Sequence, residues 1–150
     1  ENVRIAAQAM QTRFNIWTPR SRFRELDEKA DALLELVGLW DKRHETAGNL
    51  AHGAQRSLEI AVALACEPQL LLLDEPTAGM SPEEAREMMD LILKLHAERG
   101  IILVEHRMKL VMGISNRIVV LHHGQLLAEG TPEEIRTHEE VRRVYLGQTV

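Results

Sequence analysis

Leu70-Leu71-Leu72-Leu73 is a continuous apolar run that stops abruptly at Asp74-Glu75-Pro76, and a second run, Ile101-Ile102-Leu103-Val104, stops at Glu105-His106. Short apolar runs cut off by polar residues fit strands buried on both faces of a parallel sheet. Between them, Ser81-Pro82-Glu83-Glu84 carries a Ser-x-x-Glu capping box with proline at the first helical position. That pattern predicts a helix from about Pro82 to Glu98, stopped by Gly100. Strand, helix and strand in this order form a right-handed crossover, so the second half of the chain reads as α/β.

The segments on either side are parsed by periodicity. Asn2 to Trp17 predicts a helix with Val3, Ile5, Ala6, Ala9 and Met10 apolar, broken by Thr18-Pro19-Arg20-Ser21. From Phe23 to Val37, Leu26, Ala30, Leu33, Leu34 and Val37 recur at helical spacing up to Gly38. Asp41 to Asn49 is polar and loop-like, and a third helix opens near Gly53 and runs through Leu58, Ile60, Ala61, Leu64 and Ala65 to Pro68. These first helices read as a separate lobe. Beyond the second strand come a short helix around Met108 to Ile114 and a hairpin in which Arg117–Leu121 and Gln125–Ala128 flank His122-His123-Gly124. Thr131-Pro132-Glu133-Glu134 repeats the capping box and predicts a final helix to about Tyr145.

Composition narrows the class further. Aromatics make up only 3% of the 150 residues, so the core rests on Leu, Ile, Val, Ala and Met, which disfavours an all-β fold. With 45% hydrophobic and 27% charged residues, wholesale disorder is excluded as well. A net charge of −5 argues against a nucleic-acid partner, whose binding rests on cations at phosphate. Arg4, Arg13, Arg20, Arg22 and Arg24 make the start locally basic, which reads as a solvated or partner-facing surface. The one cysteine, Cys66, excludes an internal disulfide, suits a reducing compartment, and reads as a small buried residue in Ala-Leu-Ala-Cys. No apolar run reaches the roughly 18 residues of a membrane span, and no signal-peptide pattern is present. The chain opens at Glu1 with a helical pattern already under way, and the expectation is that it is a fragment.

Open α/β sheets place ligands beyond the carboxyl ends of their strands. Two acids after an apolar strand suit a Mg²⁺ held against nucleotide phosphate, with Asp74 on the metal side and Glu75 facing an attacking water. An acidic strand end made only for solvation has the same appearance. Upstream, Gly53 in Leu50-Ala51-His52-Gly53-Ala54-Gln55-Arg56 opens a helix whose backbone N–H groups are able to grip an anion, or serves simply in its cap. Downstream, His106 stands at a strand end, where an imidazole can reach a phosphate oxygen.

In this order the motifs resemble the nucleotide-binding subunit of ABC transporters over essentially the whole chain. Leu70–Thr77 resembles a Walker B motif with its adjoining catalytic glutamate; Leu50-Ala51-His52-Gly53-Ala54 occupies the place of the signature motif. Ala78-Gly79-Met80-Ser81 lies where the D-loop falls, and His106 matches the switch histidine. Leu58–Ala65, Ala78–Pro82, Glu105-His106 and Glu129–Ile135 resemble the ATPases of branched-chain amino acid importers. The resemblance implies a partial P-loop NTPase fold: a helical signature subdomain over 1–66, then the C-terminal part of a RecA-like α/β core over 67–150 with a terminal hairpin and helix. It implies ATP and Mg²⁺ as cofactors, Asp74 as the metal ligand, and Glu75 and His106 as catalytic residues. Leu50, Ala51, His52, Gly53, Ala54, Gly79, Met80 and Ser81 would contact nucleotide in a head-to-tail dimer. The implied partners are a second ATPase subunit, transmembrane permease subunits and, indirectly, a solute-binding protein, on the cytoplasmic face of the membrane.

Several positions depart from that pattern. Ala51 stands where the family has serine, removing a hydroxyl donor, so closure over ATP is expected to be weakened rather than abolished; Ala54 replaces the usual Gln or Glu. Arg107 and Asn116 replace common aspartates near the histidine. No Gly-x-x-x-x-Gly-Lys-Ser/Thr loop occurs: Gly48 and Gly53 have the spacing, but Ala54 follows where lysine is needed. This chain alone is therefore expected not to bind ATP usefully. The competing readings are an ATPase of a soluble ABC protein and a non-catalytic docking module. His122-His123 on a strand would face opposite sides and share no metal; His44 and His52 lack zinc-type partners. Met88, Met89, Met108 and Met112 read as packing residues, and Trp17 and Trp40 as core or lobe-interface anchors.

Overall fold

The computed structural model describes residues 1–11 and 20–146, so Trp17 and Arg13 lie outside the described residues. The elements in chain order are α1 (Asn2–Gln11), α2 (Arg20–Leu36), α3 (His52–Leu64), β1 (Leu70–Asp74), α4 (Pro82–His96), β2 (Gly100–Val104), α5 (Met108–Ile114), β3 (Ile118–His122), β4 (Gln125–Gly130), α6 (Pro132–Thr137) and α7 (Glu139–Val141). Two short 3₁₀ turns, Trp40–Lys42 and Ala47–Asn49, occupy the segment expected to be loop. The chain divides into two compact units, Glu1–Leu103 and the stretch from Val104 onward.

In the first unit, α1 packs on α2 and α3. Val3 and Ala7, one helical turn apart, are buried with Leu26, Ala30 and Leu34 of α2 and Ile60, Ala61 and Leu64 of α3. Full burial of each Val, Leu or Ile side chain among them contributes about 1.5–3 kcal/mol. Two backbone bonds close α2: the Leu39 N–H donates to the Leu34 carbonyl at 2.7 Å and the Gly38 N–H to Glu35 at 3.0 Å. At the end of α3, Glu67 turns left-handed (φ 51) and its carboxylate accepts a hydrogen bond from Lys29 of α2. That bond, with the charge of Lys29, holds the Glu67 carboxyl below its ordinary pKa.

β1 and β2 pair as a two-stranded parallel sheet joined through α4, as the crossover pattern predicts. The expectation of strands buried on both faces is corrected. Leu71 and Leu73 are buried, whereas Leu70 is 52% and Leu72 69% exposed, and in β2 Ile102 and Val104 are also exposed. Alternate side chains of a strand face opposite ways, and only one face of this sheet is packed. The capping box of α4 is present as predicted: Ser81 Oγ accepts from the Glu84 N–H at 3.2 Å and Glu84 Oε2 from the Ser81 N–H at 2.9 Å. Met88 and Met89 pack into the core with Ala85, Leu91, Ile92 and Leu95.

The second unit is built around the β3–β4 hairpin. His123 and Gly124 both take positive φ (49° and 75°), the signature of a two-residue type I′ turn. Because His123 sits in that turn rather than on a strand, the opposite-face argument for the two histidines fails; their rings lie 4.1 Å apart. Val120 pairs with Ala128 and Leu121 with Leu126, leaving Leu127 as the extra residue of a bulge. Val111, Ile118, Val120, Ala128, Ile135 and Val141 form the core, with Met108 and Met112 against it.

The expected continuous last helix is broken at His138, whose ψ of 119° is extended. Thr137 Oγ1 donates to the Glu133 and Glu134 carbonyls, closing α6, and α7 restarts at Glu139. Two further expectations are corrected. Cys66 is exposed, one position beyond the buried Ala65. Trp40 is 38% exposed and lies under the Arg43 guanidinium at 4.0 Å, a cation–π contact at the surface rather than a core anchor.

Candidate functional site

β1 delivers Asp74 and Glu75 to its carboxyl end, both exposed. Glu75 is held at φ 44, left-handed for a residue with a Cβ, at a cost of about 1–3 kcal/mol. Two linked turns hold it there. The Ala78 N–H donates to the Glu75 carbonyl at 3.0 Å across Pro76-Thr77, and the Met80 N–H donates to the Thr77 carbonyl at 3.3 Å across Ala78-Gly79. Gly79 supplies the φ of 72° that the third position of the second turn requires. Thr77 between them is wholly buried. Asp74 lines a cavity of about 250 Å³ with Arg56, Ile60 and Pro76.

The segment Leu50–Ala54 meets this turn from the other side. Leu50 is buried, and Gln55 Nε2 donates to the Leu50 and Ala47 carbonyls, fixing the approach to α3. Ala51 is the N-cap of α3 and provides no side-chain bond, and the first turn holds no acid. The opening N–H groups of α3 therefore lack the side-chain oxygen that satisfies those of α4. A Cβ added at Gly53 would lie 3.1 Å from Glu84 Oε1, and one added at Gly79 would lie 2.9 Å from His52 Cδ2. Ala51, Gly53, Ala54, Met80 and Glu84 line one cavity of about 340 Å³. Hydrogen bonds from the Ser81 backbone and side chain hold the Glu84 carboxyl below its ordinary pKa, with a further contribution from His52.

The residues expected to contact nucleotide over 50–54 and 79–81 are thus neighbours, in the same unit as Asp74 and Glu75. His106 belongs to the second unit, just beyond β2, with its ring exposed. The Glu105 carboxylate, fully buried, accepts the backbone N–H groups of His106 at 3.1 Å and Arg107 at 3.3 Å. Sequence reasoning named Glu84 only as a cap and Glu105 only as a neighbour of His106. No local signal marks the packing of Glu84 on Gly53 or of His52 on Gly79.

Among the described residues no three His, Cys, Asp or Glu side chains gather into an all-protein metal cage. An exposed carboxylate at a strand end suits Mg²⁺, an ion bound through one or two carboxylates together with substrate phosphates. The donor set of Asp74 fits that ion.

A parallel strand pair joined through α4, with paired acids at the end of β1, is an α/β arrangement whose solved structural neighbours are ATP-binding cassettes. The fold superposes on the ADP conformation of MJ1267, an ATP-binding cassette of an ABC transporter, with a TM-score of 0.76 and 25% identity, covering 98% of this chain and 62% of that one. On cbiO1 of Clostridium perfringens, part of the transporter complex cbiONQ, the TM-score is 0.75 with 28% identity, covering 94% and 53% of the respective chains. The family model for ABC transporters matches residues 1–78, and that for the branched-chain amino acid ATP-binding cassette transporter matches residues 125–150. The chain belongs to the ABC transporter family. It is 50% identical over 123 residues to the high-affinity branched-chain amino acid transport ATP-binding protein LivG of Salmonella typhimurium, covering 81% of this chain and 48% of that one. To BraF of Pseudomonas aeruginosa, of the same description, it is 47% identical over 127 residues, covering 83% and 50%. The chain spans about half the length of these curated relatives.

Proposed function

We propose that this chain contributes the water-activating and partner-closing half of an ATP-hydrolysing subunit in an ABC importer for branched-chain amino acids or similar small polar solutes. The observation that carries the reading is the meeting of Leu50–Ala54 with the Gly79–Ser81 turn, directly after Asp74-Glu75, in a chain about half identical to LivG. Residues 1–66 form the helical subdomain in this reading and 67–150 the C-terminal part of the core.

In this reading the roles are divided as follows. Asp74 would hold Mg²⁺, which neutralises charge on the nucleotide phosphates. The Glu75 carboxylate accepts a hydrogen bond from the attacking water and orients it, presented forward by the left-handed backbone. His106 donates a hydrogen bond to the γ-phosphate, its backbone pinned by Glu105. The open N–H groups at the start of α3 receive the γ-phosphate of ATP held by a second ATPase subunit. ATP held in cis needs the lysine loop that these 150 residues lack, so the chain by itself binds ATP poorly. Permease subunits and, through them, a solute-binding protein complete the assembly at the cytoplasmic face of the membrane, with no nucleic-acid partner. No helix among the described residues is long and apolar enough to cross a membrane.

The test is ATP turnover by the complete ATPase assembled with its permease. Glu75→Gln keeps the shape and removes the charge, and turnover is expected to fall at least about 100-fold, the range for loss of a positioned base. Undiminished turnover would leave only the docking-module reading.

A further inference from the structure

Two helix starts face each other in the first unit, and each presents a glycine to a side chain of the other. At α3, Gly53 lies against Glu84 of α4; at the turn before α4, Gly79 lies against His52 of α3. The second contact is the tighter. A Cβ at Gly79 would stand 2.9 Å from His52 Cδ2 and 3.2 Å from Nε2, and among the described residues no others have atoms within 4 Å of that point apart from its chain neighbours. The edge of the imidazole therefore rests on the bare Cα of a left-handed glycine. Gly79 is the pivot of the turn whose first half fixes Glu75.

We propose that His52 is a positioning residue. Its ring, seated on Gly79, locks the start of α3 to the turn that follows Glu75, so that the segment offered to the partner's ATP and the loop carrying the water-orienting carboxylate move as one piece. This rests on the function proposed above for those two segments. It gives His52 a role directed inward, at the turn, rather than outward, at nucleotide. The contact is one of shape: the ring fills the space that a side chain on residue 79 would take. Packed groups of this kind have discrete arrangements rather than a continuum, which is why displacing one moves the other.

The experiment uses the complete ATPase with its permease. His52→Ala is expected to lower kcat about tenfold, within the cost of misplacing a reacting group, while KM for ATP changes less than about twofold. His52→Phe keeps a flat ring edge and is expected to restore most of the rate. Gly79→Ala alone is expected to be more damaging than His52→Ala, because a Cβ at φ 72° is strained and also meets the ring, and the double variant no worse than Gly79→Ala alone, because the ring contact is then relieved and only the backbone strain remains. Amide hydrogen exchange at Ala78, Gly79 and Met80 is expected to quicken in His52→Ala and to return to the parent rate in His52→Phe. Additive losses in the double variant, failure of phenylalanine to restore the rate, or unaltered exchange in His52→Ala each overturn the proposal. A parent protein whose turnover does not depend on Glu75 overturns the functional reading instead, while the exchange rates still decide whether His52 holds the turn.

Discussion

α3 and α4 begin side by side and are built in opposite ways. α4 opens with Ser81 and Glu84, whose side chains accept from each other's backbone N–H, and with Pro82, which has no N–H to satisfy. α3 opens with Ala51, which has nothing to offer them. A helix start left without a cap costs about 0.5–2 kcal/mol relative to a capped one. The pairing teaches where stability has been put. The capped helix is scaffold, and Glu84 braces its neighbour at Gly53; the helix without a side-chain cap leaves its first amides open, which is what the proposed contact with nucleotide requires.

Giving α3 the cap it lacks is the harshest way to break this contrast. Ala51→Asp supplies an oxygen to the first N–H groups and a negative charge where phosphate would arrive. Urea unfolding is expected to show about 1 kcal/mol of added stability, and ATP turnover of the complete enzyme is expected to fall about 100-fold, of the order seen when anion-stabilising donors are lost. A variant equally stabilised and fully active would show that these amides do not meet nucleotide.

Taking away the cap that α4 has gives the converse. Ser81→Ala is expected to cost about 1 kcal/mol in the same unfolding assay, and Thr131→Ala, at the matching box of α6, a similar amount. Turnover adds a second readout: Ser81 ends the turn that meets Leu50–Ala54, so Ser81→Ala is also expected to slow hydrolysis. A gentler probe is Ala51→Ser, which adds a neutral hydroxyl and is expected to raise turnover a few-fold; an unchanged rate would show that the missing hydroxyl is immaterial.

Acidity gives the smallest effect. Hydrogen bonds hold the Glu84 and Glu134 carboxyls below the ordinary value of 4.5, so their contribution is complete above that pH and is lost as pH falls through the lowered values. Hydrogen exchange at the starts of α4 and α6 is therefore expected to quicken modestly below about pH 4.5, whereas the start of α3, with no capping carboxylate, is expected to show no such step.

Much of this was legible in the residues because the signals were local. Ser81–Glu84 and Thr131–Glu134 announce two helices within four residues each, and Asp74-Glu75 marks the end of its strand. His123-Gly124 announces a hairpin for the same reason. What escaped depends on neighbours far along the chain. Whether Leu70 and Leu72 are covered is decided by what packs on the sheet, not by their own apolarity. His52 and Gly79 meet only because two helix starts abut. The break at His138 follows from Thr137 turning its hydroxyl back on its own helix, which a periodicity of apolar positions does not register.

Leu70, Leu72, Ile102 and Val104 also govern how the chain handles in a test tube. Four aliphatic side chains on adjacent strands, each at least half exposed, make a stripe of the sort that draws two molecules together. Light scattering from the purified chain is accordingly expected to climb with concentration and with sulfate, and dilution, rather than refolding, to be what keeps it dispersed.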